Sequence, residues 1–102
     1  MNRLSFLIIL PFTLISPINS VPHQWFEQVS EKTNASLVKD AYYAKCLVDA
    51  PDYLTSCDTV AYGVGLTSRS AKDFARFYAV ATGEPHCNSY IGQCLIRQYC
   101  SK

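Results

Sequence analysis

Thiol chemistry dominates this 102-residue chain, because it holds five cysteines and few other groups in reactive arrangements. The cysteines are Cys46, Cys57, Cys87, Cys94 and Cys100. Outside the reducing cytosol, cysteines at this density are expected to form disulfides that stabilise a small core. Five is an odd number, so at least one thiol stays free or joins a second copy in a disulfide-linked homodimer.

The sequence around Pro51 favours one particular pair. Cys46 precedes this proline by five residues and Cys57 follows it by six. If Pro51 marks the bend of a helical hairpin, the two sulfurs lie at a similar height on facing helices. A disulfide that closes so short a loop contributes about 2–3 kcal/mol to stability. We therefore prefer the pair Cys46–Cys57.

The other three cysteines have no preferred partners. Cys87 and Cys94 are seven residues apart, which is roughly 10 Å along a continuous helix, whereas the Cα atoms of a disulfide lie about 4.4–6.8 Å apart. With Cys100 and His86 they supply four metal-ligating side chains. The Cys-x2-4-Cys knuckle of zinc sites is absent, however, and export favours oxidised sulfur, so we predict no metal site.

The sequence gives little support for an enzyme or for a nucleic-acid-binding protein. A cysteine nucleophile needs a neighbouring base, and His23 and His86 are the two histidines available. The Gly-x-Ser-x-Gly and His-Glu-x-x-His motifs are absent, and the glycine pair Gly63 and Gly65 lacks the rest of a dinucleotide fingerprint. The formal charge of +1 provides no basic footprint for nucleic acid. We expect a non-enzymatic protein without a cofactor.

The first twenty residues resemble an export signal. Arg3 provides a positive start, and residues 4–15 form an apolar run that is too short for the roughly 20 residues of a membrane span. Cleavage after Ser20 would leave one domain, residues 21–102, with zero net charge. The expected location is extracellular, or periplasmic in a bacterium, or a lysosome-like compartment in a eukaryote.

Helical spacing of apolar residues predicts an all-α bundle of about five short helices. Period-two alternation and Asn-Gly or Asp-Gly hairpin turns are absent. The predicted helices cover 22–32, 36–50, 52–64 and 70–82, followed by a fifth that begins at Asn88 or Ser89. Pro51 ends the second helix and Gly83 ends the fourth.

Residues 37–94 carry cysteine motifs that resemble the saposin-like family. The motifs are Cys46-LVDAPDYLTS-Cys57-DTVAYGVG and Pro85-His-Cys87-NSYIGQ-Cys94. The Cys-x-x-Cys that opens the family pattern is absent from this chain. The resemblance implies five helices, a cysteine-closed hairpin between the second and third, and a non-enzymatic protein that binds lipid or perturbs membranes.

The fourth predicted helix carries side chains suited to a membrane surface. Three aromatic residues and three basic residues are the candidate contacts with lipid and anionic headgroups, namely Phe74, Phe77, Tyr78, Arg69, Lys72 and Arg76. Two other interpretations remain, in which the aromatic residues fill the core and the basic residues form a solvated helix face partly paired with Asp73.

Two other binding classes and one modification site complete the predictions. Small exported helical proteins also serve as periplasmic immunity proteins, which bind and block a toxic partner, and as secreted effectors. Asn34-Ala35-Ser36 is an N-glycosylation sequon, so Asn34 is a candidate glycosylation site in a eukaryotic secretory pathway.

Overall fold

A computed structural model describes residues 21–100 and shows a three-stranded antiparallel sheet with two α-helices. The elements in chain order are α1 (His23–Thr33), β1 (Tyr42–Val48), β2 (Val60–Gly65), α2 (Ser68–Thr82), a 3-10 helix (Pro85–Tyr90) and β3 (Ile91–Gln98). The predicted signal segment and its cleavage position lie outside the described residues. Within residues 21–100, no helix has the length and apolar character needed to cross a bilayer.

The predicted all-α bundle is wrong, because three of the five predicted helices are replaced by strands. The second contains β1, the third is a loop followed by β2, and the fifth is a 3-10 turn followed by β3. The central strand β1 is buried on both faces at Tyr43 and Ala44, so the period-two alternation that signals a strand disappears there. Its sequence, Tyr-Tyr-Ala-Lys-Cys-Leu-Val, contains the aromatic and β-branched residues that strands favour.

Two of the predicted helices are confirmed. The first is α1, which begins directly after Pro22. Proline is tolerated at the start of a helix because a backbone N–H at that position would have no partner within the helix. The second is α2, which ends at Gly83 as predicted. Its N-cap is Thr67 rather than Ser70, and the two residues exchange side-chain-to-backbone hydrogen bonds of 3.0 Å in a capping box.

The strands lie in the order β2-β1-β3, and α2 covers one face of the sheet. The buried side of α2 consists of three alanines, Ala71, Ala75 and Ala79. A Cβ atom built on Gly63 of β2 would lie 2.0 Å from the carbonyl oxygen of Ala71. The helix therefore packs directly against the backbone of the strand, and only small residues fit between them.

The other face of the sheet is covered by α1 at one end only. Phe26 and Val29 of α1 pack with Tyr43 and Tyr62 of the sheet. The Tyr43 hydroxyl accepts a hydrogen bond of 2.8 Å from the backbone N–H of Val38. The other end of this face has no covering element among the described residues, and Leu47 there is 57% exposed.

The predicted disulfide Cys46–Cys57 is wrong, because both cysteines bond other partners. Cys46 bonds Cys94, which lies directly opposite it on the neighbouring strand with a Cα–Cα distance of 3.9 Å. Cys57 bonds Cys87 of the 3-10 helix, with a Cα–Cα distance of 5.6 Å. The predicted pair fails because Cys46 lies in a strand and Cys57 lies in a loop, so no helical hairpin brings them together. Two intramolecular disulfides are compatible with an oxidising compartment.

Candidate functional site

The outer side of α2 presents a large exposed aromatic residue. Phe77 is 68% exposed, and at 100° per residue it points almost directly away from the buried alanines. The Phe74 ring lies beside it, with an edge-to-face contact and a centroid distance of 6.4 Å. The exposed Phe77 ring, with the partly buried Phe74 ring beside it, is costly to hydrate, so this side of the helix is a candidate binding surface.

The three predicted basic residues lie on the same helix. Helical spacing places Arg76 on one flank of Phe77 and Phe74 on the other, whereas Lys72 lies about 140° from Phe77, closer to the buried alanines, and does not join this surface. Arg69 is exposed in the first turn. Arg76 donates to Asp73 at 2.7 Å, which agrees with the interpretation of a partly paired helix face. This pair is about half exposed on both sides, so it is weak enough to exchange for another anion.

Leu66 is a further exposed apolar residue near the start of α2, and it was not predicted from the sequence. It is 80% exposed and directly precedes the N-cap of α2. An apolar residue at this position often packs back onto the first turn as a hydrophobic staple, but its high exposure shows that Leu66 does not. The α2 face is defined here as Arg69, Phe74, Arg76 and Phe77, with Leu66 just before the start of the helix.

Tyr78 does not belong to this face, although the sequence grouped it with Phe74 and Phe77. Its ring packs edge-on against Tyr62 with a centroid distance of 5.6 Å, and it contacts both clusters of the core. Desolvation is the main cause that raises the pKa of its hydroxyl, and the charge of Asp58 adds to it. Tyr78 therefore supports the fold rather than an external contact.

A second polar cluster lies beside the Cys57–Cys87 disulfide. Ser56 Oγ donates to Glu84 Oε2 at 2.5 Å, and His86 Nδ1 lies 3.4 Å from Glu84 Oε1. The carboxylate stands between the hydroxyl and the imidazole, so the histidine is not placed to take the serine proton. The cluster therefore lacks the arrangement of an activated serine nucleophile.

Replacing Ser56 by alanine is expected to raise the pKa of Glu84. The hydrogen bond from Ser56 is the largest cause that lowers this pKa, burial acts in the opposite direction, and His86 lowers it further. Because the pKa is lowered in the folded state, the stabilisation is present above the unfolded-state pKa and is lost as the pH falls through the folded-state value. A carbon-detected NMR titration of Glu84 measures the shift, with Thr55→Ala as the control. An unchanged Glu84 titration in Ser56→Ala would contradict the assignment.

The remaining predicted groups lie apart from the α2 face. His23 is exposed and lies 3.3 Å from Glu27 on α1. Among residues 21–100, no three histidine, cysteine or acidic side chains lie close enough together to hold a metal ion. Asn34 is exposed at the C-terminus of α1 with a positive φ of 60°, and glycosylation there stays a prediction. Cys100 is exposed and makes no disulfide within the described chain, so the disulfide-linked homodimer also stays a prediction.

Comparison with known protein families, curated proteins and solved structures finds no match to this chain. The five-helix layout implied by the saposin-like resemblance differs from the observed fold. The function proposed below therefore rests on the geometry of the α2 face.

Proposed function

We propose that this is an exported, non-enzymatic protein that binds anionic membrane surfaces through the α2 face. The observation that carries the proposal is the exposure of Phe77 with two basic side chains, Arg69 and Arg76, on the same side of the helix. The two intramolecular disulfides and the signal-like first twenty residues support a location outside the cytosol.

The composition of the α2 face matches what an interfacial helix needs. Burying a phenylalanine or leucine side chain is worth about 1.5–3 kcal/mol, which Phe77 and Leu66 would each contribute on entering the acyl boundary. Each basic residue near an anionic surface adds about 1 kcal/mol. With zero net charge on residues 21–102, the attraction depends on this local arrangement and not on the overall charge.

The expected result is co-sedimentation with vesicles of phosphatidylcholine and phosphatidylserine. Pure phosphatidylcholine vesicles are expected to bind less protein, and added salt to release it, because exposed charges are screened. Phe77→Asp is expected to weaken binding at least about tenfold, since it removes the apolar contribution and adds a negative charge.

Val38→Asp is the matched control, because Val38 is also an exposed apolar residue, at 50%, but lies in the loop before β1. Circular dichroism confirms that each variant is folded. Absence of binding to anionic vesicles, or equal binding by Phe77→Asp and the unmodified protein, would overturn the proposal. In that outcome, a tight complex with a protein would favour the class of immunity proteins and effectors.

A further inference from the structure

The half of the sheet that α1 leaves open carries a small apolar surface with charged residues at its ends. We call it the open sheet face, and its residues are Lys45, Leu47, Asp49, Thr59, Gln93 and Leu95. It lies on the side of the sheet opposite α2, since Ala44, Cys46 and Val48 of β1 point toward α2. It is therefore separate from the α2 face.

The order of charges along this face is self-complementary. Lys45 and Leu47 are alternate residues of β1 and share a side of the sheet, and Asp49 follows just beyond the end of the strand and lines the hollow beside Leu47. Lys45 Nζ lies 3.3 Å from the side-chain oxygen of Gln28 and 5.9 Å from the ring centroid of Tyr62. Within residues 21–100, neither Lys45 nor Asp49 makes a salt bridge.

The shape of the open sheet face is also self-complementary. Leu47 stands between two shallow hollows, one of about 370 Å³ toward Lys45 and Leu95 and one of about 510 Å³ toward Asp49 and Thr59. A protruding side chain with an adjoining hollow can receive an identical surface turned by half a rotation, as a two-fold interface requires.

We propose that the open sheet face is the interface of a homodimer, with a two-fold axis beside Leu47. In this arrangement β1 of one protomer crosses β1 of its partner in the opposite direction. Leu47 of each copy enters a hollow of the other, and each Lys45 meets Asp49 of the second copy. The face is small, so the dimer forms in a concentration-dependent equilibrium.

Analytical ultracentrifugation of the exported protein over a range of concentrations tests the interface. All samples carry Cys100→Ser, so that a disulfide through Cys100 cannot imitate the dimer. Leu47→Asp is expected to give a monomer, whereas Leu66→Asp changes an exposed leucine outside the face and is expected to leave the dimer intact. A Cys100→Ser protein that is monomeric at every concentration would overturn the proposal.

Charge reversal provides a sharper test, because the interface pairs two different residues. Lys45→Glu and Asp49→Lys are each expected to weaken the dimer at least about tenfold, since each places like charges in contact. An equal mixture of the two variants is expected to recover dimer. In the mixed interface the introduced glutamate of one chain meets the introduced lysine of the other, and the unchanged Asp49 meets the unchanged Lys45.

The double variant Lys45→Glu/Asp49→Lys is expected to dimerise alone for the same reason, and it also shows whether the substituted chain folds. Failure of the mixture and the double variant to recover dimer, with all chains folded, would overturn the two-fold arrangement. An unchanged dimer in Leu47→Asp would place the interface on another surface.

Discussion

Replacing Cys46 and Cys94 together by alanine is expected to lower the free energy of unfolding by about 3 kcal/mol. With the Cys57–Cys87 bond intact, the loop that this bond closes consists of residues 46–57 and 87–94, and its loss frees that loop in the unfolded chain. Cys46 is also fully buried between β1 and α2. Since domains of this size have roughly 5–10 kcal/mol of stability in total, the double variant is expected to be near the limit of folding. Urea denaturation followed by circular dichroism measures the change.

The second disulfide provides the matched comparison. Cys57 and Cys87 are 30 positions apart inside the loop that Cys46–Cys94 already closes, so removal of this bond is expected to cost slightly less than removal of the first. Peptide mapping of the unreduced protein independently checks the pairing. Recovery of a Cys46–Cys57 peptide, or an unchanged unfolding midpoint in the Cys46/Cys94 variant, would contradict the observed connectivity.

Gly63→Ala is expected to destabilise the protein by about 3 kcal/mol, which is at the upper end for overpacking. The new Cβ atom would lie 2.0 Å from the carbonyl oxygen of Ala71 and 2.8 Å from the backbone nitrogen of Ala75. Both atoms belong to the backbone of α2, so no side-chain rotation relieves the overlap. The helix must move away from β2 as a whole, and thermal or urea unfolding measures the cost.

Gly92→Ala is the control for this prediction. A Cβ atom there would meet only the carbonyl oxygen of Leu47, at an ordinary contact distance of 3.5 Å. We expect its stability to stay within about 0.5 kcal/mol of the unmodified protein. Equal effects of the two substitutions would show that the close approach of α2 to β2 does not limit packing.

The sequence predicted α1 and α2 because both helices have local start and stop signals. Pro22 and Gly83 act within one turn of the chain and need no information from distant residues. The strands had no such local signal. β1 pairs with β2 and with β3, whose partner residues lie up to 56 positions away in the pair Tyr42–Gln98. Strand pairing of this kind is decided by tertiary contacts, which override weak local preferences.

The candidate surface was predicted in part, and the error lies in which side of α2 is buried. The sequence analysis left open whether Phe74 and Tyr78 contact lipid or fill the core. The structure buries the alanines instead, because Gly63 and Gly65 bring the helix backbone against the strand and leave no room for larger side chains. Phe77 is exposed as a consequence of that close packing. The small residues on both elements were the signal that could have identified the buried side.

The two disulfides are nested, since the pair 57–87 lies inside the pair 46–94, and both enclose the whole of α2. A protease that cuts one peptide bond within that helix would therefore release no fragment, because the two halves would stay cross-linked twice. The covalent connectivity thus preserves the molecule as one piece after a single cleavage within α2.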